Sequence, residues 1–164
     1  NAPGARFMLE DARRLTLDST FCAVVSTFDS INHIAEYDEL RQVFGNVYRA
    51  LRPGGVYLFD MNMEAGFQTR WHGKVRLTHY DRDYVIEATN FPKERIGRND
   101  VTAYSASGSP AAQFGFVERC YSAAEVFEAL AEAGFSSERA YDAHRDLDLW
   151  GEVGRSFFVC QRPQ

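Results

Sequence analysis

The sequence lacks several features that mark whole classes of protein. Its 164 residues contain no apolar run near the roughly 20 residues that a membrane-spanning helix requires. Only 18 basic residues stand against 23 acidic ones, and the net charge of −5 argues against a surface that binds nucleic acid. The three cysteines are widely spaced and odd in number, so they form neither a disulfide framework nor a metal-binding pair. We therefore expect a cytoplasmic globular protein that binds neither membrane nor nucleic acid.

The first half of the sequence does contain a strand, a helix and a second strand in succession. Apolar residues recur along Tyr37–Leu51 at helical spacing, and Arg52–Gly55 cannot continue a helix. Val56–Met61 is an unbroken run typical of a parallel strand buried on both faces, and Phe21–Ser26 is a similar run. A short strand is also predicted at Arg6–Glu10. This order predicts an α/β fold with a right-handed crossover, and residues 1–164 suit a single domain.

Beyond Ala65 the pattern changes to shorter alternating segments separated by turns. They predict antiparallel strands at Val75–Tyr80, Tyr84–Phe91, Val101–Ser105 and Phe114–Tyr121. Ser122 and Glu125 form a capping box that opens a helix, and Gly134 ends it. The last two strands are predicted at Glu138–Ala143 and Phe157–Gln161.

Three segments resemble the class I S-adenosylmethionine-dependent methyltransferases. Phe7–Leu15 is similar to the family's third strand and loop, and Phe21–Ile34 (F-C-A-V-V-S-T-F-D-S-I-N-H-I) to its fourth. Leu51–Gly55, L-R-P-G-G, is similar to the turn into its fifth strand. The family's Gly-x-Gly motif is absent from the sequence. The resemblance implies the C-terminal portion of a Rossmann-like methyltransferase sheet without its first strands, in which residues 66–121 form a substrate-side antiparallel insertion.

The resemblance also implies where a cofactor would bind. Asp11 would accept a hydrogen bond from the adenine amino group of S-adenosylmethionine, with the backbone N–H of Ala12 beside it. Ser26, Thr27 and Phe28 would contact the methionine portion, where an aromatic ring suits a sulfonium cation. From the residues alone two alternatives stay open: Asp11 as a side chain that caps a turn, and Phe28 as an ordinary core residue.

His33 is the candidate general base, because an imidazole that titrates near neutral pH can accept a proton from an amine or a hydroxyl. The alternative is a histidine that caps a helix or bonds to the backbone. The candidate substrate-binding residues are Asn32, Asp60, Asn62, Arg119 and Tyr121. A local turn role for Asn62, and a core role for the aromatic residues of the antiparallel section, are their alternatives. The other histidines fit no metal-ligand spacing, and no metal site is expected.

Two functions follow as hypotheses from different classes. The first is an enzyme that transfers a methyl group from S-adenosylmethionine to a nitrogen or oxygen of a small molecule, an activity that this stretch of chain alone does not guarantee. The second is a non-catalytic, truncated α/β module that binds a ligand or partner without turnover. For both, a homodimer or another chain that supplies the missing strands is an expected partner. A nucleotide-dependent oxidoreductase is a weaker third option, since its glycine fingerprint is equally absent.

Overall fold

Two four-stranded sheets provide the framework of the residues that the computed structural model describes, 4–80 and 82–164. The strands are β1 (Phe21–Ser26), β2 (Leu51–Asn62), β3 (His72–His79), β4 (Arg82–Phe91), β5 (Ile96–Tyr104), β6 (Pro110–Arg119), β7 (Ser136–Asp142) and β8 (Arg155–Gln161). The helices are α1 (Tyr37–Ala50), α2 (Glu64–Arg70) and α3 (Ala123–Ala133), with a one-turn 3-10 helix at Ser30–His33. The first sheet has the order β1-β2-β8-β7 and the second the order β3-β4-β5-β6.

The first sheet combines parallel and antiparallel pairs. β1 and β2 run parallel, from Ala23 opposite Val56 to Ser26 opposite Phe59, and α1 connects them. β8 pairs antiparallel with β2, and β7 pairs antiparallel with β8. This topology confirms the predicted α/β sheet, and its final strand β8 runs antiparallel to β2.

The main core lies between this sheet and the helices α1 and α3. Leu40 and Phe44 of α1 are fully buried, and the Phe44 ring lies 5.3 Å from that of Phe59 in β2. Phe59 in turn stacks on Phe158 of β8, with ring centroids 5.0 Å apart. Burial of each such side chain stabilises the fold by about 1.5–3 kcal/mol. The packing of α1 thereby holds this helix against β2.

The capping box predicted for α3 is confirmed. Ser122 Oγ accepts the N–H of Glu125 at 3.3 Å, and a carboxylate oxygen of Glu125 accepts the N–H of Ser122 at 2.7 Å. Gly134 follows the helix with a φ of +98°, a left-handed conformation that favours glycine. The helix therefore begins and ends where its sequence predicts.

β1 is an edge strand and not the buried strand that its sequence predicts. Among the described residues only β2 pairs with it, and Val25 is 61% exposed. The predicted strand at Arg6–Glu10 is wrong, because this segment joins neither sheet and Phe7 and Leu9 lie exposed. An apolar run forms a strand only where a neighbour receives its backbone hydrogen bonds. No described strand lies beside the outer edge of β1 or beside the segment Arg6–Glu10.

The turn predicted at Arg52–Gly55 lies inside β2 as an irregularity, because the strand already begins at Leu51. The register between β1 and β2 shifts across it. Gly54 adopts a φ of +76°, and its N–H donates to the carbonyl oxygen of Arg162 at 2.9 Å. The segment that follows β8 thus accepts a backbone hydrogen bond from Gly54. This contact lies in the part of β2 that precedes its apolar run.

The second sheet is antiparallel throughout, as the alternating segments predict. Each strand begins earlier than its prediction. The sequence did not predict α2, which is only seven residues long. The role of residues 66–121 as an insertion on the substrate side stays a prediction. Within the described part of the chain, no helix combines the length and apolar character needed to cross a membrane.

Candidate functional site

Polar side chains from several elements converge where the parallel strands β1 and β2 end. They come from the segment after β1, the end of β2, the end of β6 and the start of β8. These residues, here called the strand-end cluster, are Asp29, Asn32, Asp60, Asn62, Glu118 and Arg155. Open α/β sheets bind their ligands at the carboxyl ends of parallel strands. The cluster therefore occupies the position expected of a binding crevice.

Asn32 joins the two sheets at this point. Its side-chain amide donates to the carbonyl oxygens of Asn62 at 3.0 Å and Arg119 at 2.8 Å. Its carbonyl oxygen Oδ1 accepts the N–H of Asn62 at 2.9 Å. Asn32 is fully buried, so these bonds hold the end of β2 against the end of β6. This places Asn32 as a brace of the crevice, and its predicted contact with a substrate stays untested.

Arg155 and two carboxylates form the charged part of the cluster. The Arg155 guanidinium donates to Asp60 Oδ2, lies 3.3 Å from Asp29 Oδ2, and donates to Glu152 at 2.7 Å. Burial acts to lower the pKa of Arg155, but the carboxylates of Asp60 and Asp29 outweigh it and raise that pKa. The other oxygen of Asp60, Oδ1, is buried without a hydrogen-bond partner in the described part of the chain. Asp60 therefore keeps one unused acceptor inside the cluster.

Glu118 contributes a buried carboxyl group from the antiparallel sheet. It is 4% exposed, and its Oε2 accepts the side-chain amide of Asn62 at 3.2 Å. Asn62 also donates to Asp29 and accepts from Arg70. Burial raises the pKa of Glu118 to about 7, and the charge of Asp29 adds to this shift. A carboxyl group with such a pKa exchanges its proton near neutral pH, which is a property typical of functional sites.

His33 lies at the rim of the cluster. Its side chain is 43% exposed, and its Nε2 lies 3.9 Å from Glu118 Oε1. Its ring centroid is 5.3 Å from that of Phe116, which precedes Glu118 by two positions on β6. The imidazole is therefore open to a small molecule on one side and close to a carboxyl group on the other. This geometry suits the predicted general base, a role that stays a prediction.

Asp11 and Ala12, the two residues predicted at the adenine end of the cofactor, both accept hydrogen bonds from side chains of this chain. The Asp11 carboxylate accepts from Arg13 Nε at 3.0 Å and Nη2 at 2.6 Å, and Arg13 lowers the pKa of Asp11 to about 2. The carbonyl oxygen of Ala12 accepts the amide of Asn46 in α1 at 2.7 Å. Arg13 also bonds to Glu39 at 2.9 Å. This segment is thereby held on α1, and its acidic side chain is ionised but occupied by arginine.

The three residues predicted at the methionine end follow β1 directly. The Ser26 hydroxyl accepts from the Tyr57 hydroxyl at 3.1 Å, and Thr27 lies exposed. Phe28 has a φ of +59° and is 83% exposed. The alternative of Phe28 as an ordinary core residue is therefore wrong. An exposed aromatic ring beyond the carboxyl end of β1 is available to contact a ligand.

The side chains of Arg119 and Tyr121 do not join the strand-end cluster. Arg119 follows Glu118 on β6 and therefore points to the opposite face, where its Nη1 donates to the carbonyl oxygen of Glu94 at 3.2 Å. Tyr121 is buried and lines a separate cavity of about 420 Å³ beside α2 and α3. Only the carbonyl oxygen of Arg119 reaches the cluster, through Asn32.

Sequence reasoning missed Glu118 and Arg155. A signal was present for Glu118, because β6 carries Phe114, Phe116 and Glu118 at alternate positions. The acidic residue stands where the pattern would place a third apolar side chain. Arg155 had no such signal, since it opens the last strand after a loop and contacts only residues distant in sequence or in that loop.

The family described as a methyltransferase domain matches residues 1–59 of this chain. The putative methyltransferase YqeM of Bacillus subtilis (strain 168) is 25% identical over 163 residues, which cover 95% of this chain and 65% of YqeM. The chain thus spans slightly less than two thirds of the length of that relative.

Solved structures share the fold described above. An S-adenosylmethionine-dependent methyltransferase from Clostridium acetobutylicum ATCC 824 gives a TM-score of 0.78 at 18% identity, over 97% of this chain and 65% of that one. CalS10 is an amino pentose methyltransferase from Micromonospora echinaspora that was solved with S-adenosylmethionine bound. It gives a TM-score of 0.72 at 23% identity, over 98% of this chain and 66% of the CalS10 chain. At these identities the likeness shows the fold. Residues 1–59 are thus similar in sequence to the methyltransferase-domain family, and the chain shares the fold of solved S-adenosylmethionine-dependent methyltransferases.

Proposed function

We propose that this chain forms the acceptor side of an enzyme that transfers a methyl group from S-adenosylmethionine to a nitrogen or oxygen of a small molecule. One observation carries the proposal: a half-exposed imidazole, His33, and a buried carboxyl group, Glu118, lie 3.9 Å apart at the carboxyl ends of the parallel strands. A proton acceptor at that position is what a nucleophilic amine or hydroxyl requires.

The described residues fit two portions of the cofactor. The exposed ring of Phe28 suits the sulfonium, because a cation is attracted to an aromatic face. The ionised carboxylate of Asp11 suits an adenine amino group, once Arg13 shares it. When bound, the cofactor supplies a methyl group activated by a positively charged sulfur. The family's Gly-x-Gly motif is not in this sequence, so these residues account for only part of the binding site.

The chain's own residues then have two tasks. The braced ends of β2 and β6 hold the acceptor in place, and such positioning is a major part of catalysis in a displacement reaction. His33 accepts the proton that the nucleophile loses. Glu118, at 3.9 Å, stabilises the resulting imidazolium by its negative charge.

The names of the solved relatives support a small-molecule acceptor. CalS10 is described as an amino pentose methyltransferase, and KedS8 from Streptoalloteichus sp ATCC 53650, with a TM-score of 0.69 at 24% identity, as a sugar N-methyltransferase. Because the chain spans less than two thirds of YqeM, the activity of the whole protein is part of this proposal. We also propose that a second copy or another chain lies against the open edge of β1.

Calorimetric titration of the complete gene product with S-adenosylmethionine and S-adenosylhomocysteine tests the cofactor. We expect Phe28→Ala to weaken the binding of S-adenosylmethionine about fivefold more than the binding of S-adenosylhomocysteine, because only S-adenosylmethionine carries the sulfonium charge. Phe91→Ala is the matched control: it removes a partly exposed ring from β4 and should change neither affinity.

The second candidate function is the non-catalytic module, in which the strand-end cluster binds a ligand or partner without turnover. The same titrations distinguish the two. Failure of the complete gene product to bind either compound would rule out the methyltransferase and leave the module. Equal weakening of both compounds by Phe28→Ala would remove that ring from the sulfonium site.

A further inference from the structure

The antiparallel sheet has one apolar and one polar face. Residues opposite each other on paired strands share a face, and Val101 lies opposite both Ile86 and Phe114. The residues here called the apolar sheet face are Leu77, Tyr84, Ile86, Val101, Phe114 and Phe116. Together with His79 they line a cavity of about 320 Å³. Phe114 remains 56% exposed, so this face has room for a small apolar group.

Glu118 continues the same face toward the strand-end cluster. It follows Phe116 by two positions on β6, a separation of about 7 Å along a strand. Unlike the aromatic residues before it, Glu118 is buried, and it lies beside His33. His33 in turn contacts Phe116. The apolar sheet face therefore leads directly to a carboxyl group.

No lysine or arginine forms an ion pair with Glu118 in the described part of the chain. The charged and titratable groups that surround it are His33, Asp29, Asp60, Arg70 and Arg155. Arg155 is engaged by Asp29, Asp60 and Glu152, and Arg70 by Asn62 and Glu152. A buried carboxylate is costly unless a cation or hydrogen bonds compensate it. A cationic ligand would supply the missing partner.

Resting on the proposed function, we propose that the acceptor is an amine with an apolar substituent, whose ammonium group binds Glu118 while the substituent lies on the apolar sheet face. Charge complementarity selects this occupant, because a neutral alcohol offers no cation to the buried carboxylate. The acceptor atom is then nitrogen and not oxygen. One N–H bond of the ammonium breaks, the proton forms an N–H bond with the imidazole of His33 beside Glu118, and the electron pair stays on the substrate nitrogen as the nucleophile.

Phenylbutylammonium is a suitable probe, because its chain spans the separation between Glu118 and Phe116. We expect the wild-type chain to bind it at least about tenfold more tightly than phenylbutanol, its neutral counterpart, in calorimetric titrations. Glu118→Gln should abolish this preference. Phe116→Ala should weaken the binding of both probes and leave the ratio of their affinities unchanged.

Glu87→Gln is the matched control, because Glu87 lies on the polar face of the same sheet and pairs with Lys74 at 3.0 Å. It should leave both affinities unchanged. Equal binding of the two probes by the wild-type chain would overturn the proposal, as would a preference that survives in Glu118→Gln.

Two further measurements keep the test decisive. If Glu118→Gln fails to fold, nuclear Overhauser contacts between the bound probe and Phe116 support the proposal, and their absence overturns it. If the wild-type chain is a dimer that Phe114→Lys separates, a second copy covers the apolar sheet face and the proposal is wrong. Titration with S-adenosylhomocysteine is independent: its failure beside a clear preference for the amine contradicts the proposed function alone.

Discussion

A single carboxyl group, Glu118, lowers the stability of the chain in a way that depends on pH. Its pKa is about 7 in the folded chain, against an ordinary value of 4.5. Below the ordinary value the group is protonated in both the folded and the unfolded chain, and it has no effect. As the pH rises, the unfolded chain releases the proton first, so the free energy of unfolding falls until the pH passes about 7.

We predict that Glu118→Gln raises the free energy of unfolding, and more so at higher pH. The amide keeps an acceptor oxygen for Asn62 but carries no charge to bury. The gain over the wild-type chain should grow by about 2 kcal/mol between about pH 5.5 and about pH 8, as measured by urea unfolding. Glu87→Gln should show no such growth, since its carboxylate is half-exposed. A gain that is the same at both pH values would contradict the prediction.

Residues that follow a strand in a short motif could be named from the sequence. Four residues that the structure brings together were predicted in this way, namely Asn32, His33, Asp60 and Asn62. Glu118 and Arg155 arrive from β6 and β8, and no local pattern shows which strand end will meet which. The bond from Asn32 to the Arg119 carbonyl oxygen, for example, joins positions 87 residues apart.

At the scale of elements, the prediction of α3, which depends on local side chains, is correct, and the prediction of a strand at Arg6–Glu10, which depends on a distant partner strand, is wrong. The ends of α3 are fixed by the local side chains of Ser122 and Glu125 and by Gly134, so they could be predicted. The strand at Arg6–Glu10 required a neighbouring strand, which the apolar run itself does not provide. Helix signals are local, whereas strand signals are only half of a pair.

We predict that Ser122→Ala lowers the free energy of unfolding by about 1 kcal/mol, because the first turn of α3 loses its N-cap acceptor. The Glu125 carboxylate would keep Arg95 and the backbone N–H at position 122 as partners. In urea unfolding, the midpoint should fall without a change in the denaturant dependence. The control Ser107→Ala, in an exposed hairpin, should stay within about 0.5 kcal/mol of the wild type. A loss for Ser122→Ala no greater than for the control would show that the cap does not stabilise the helix.

At the scale of the whole molecule, the described chain leaves several large apolar side chains exposed. Phe7 and Leu9 lie outside any strand and are exposed, as is Phe28 beyond β1. β1 itself has no partner on its outer edge among the described strands. An open strand edge is a template for pairing with another chain, and exposed apolar side chains favour such an association.

We therefore predict that the chain self-associates through β1. In sedimentation velocity, its weight-average mass should rise with protein concentration, because each copy offers unpaired backbone groups at the same edge. Val25→Lys places a charge on this edge, where Val25 is 61% exposed, and should hold the chain at the mass of one copy. Val153→Lys is the matched control, since Val153 is also partly exposed but lies in the loop before β8. If both variants associate as the wild type does, β1 is not the contact, and the edge must be shielded by another part of the molecule.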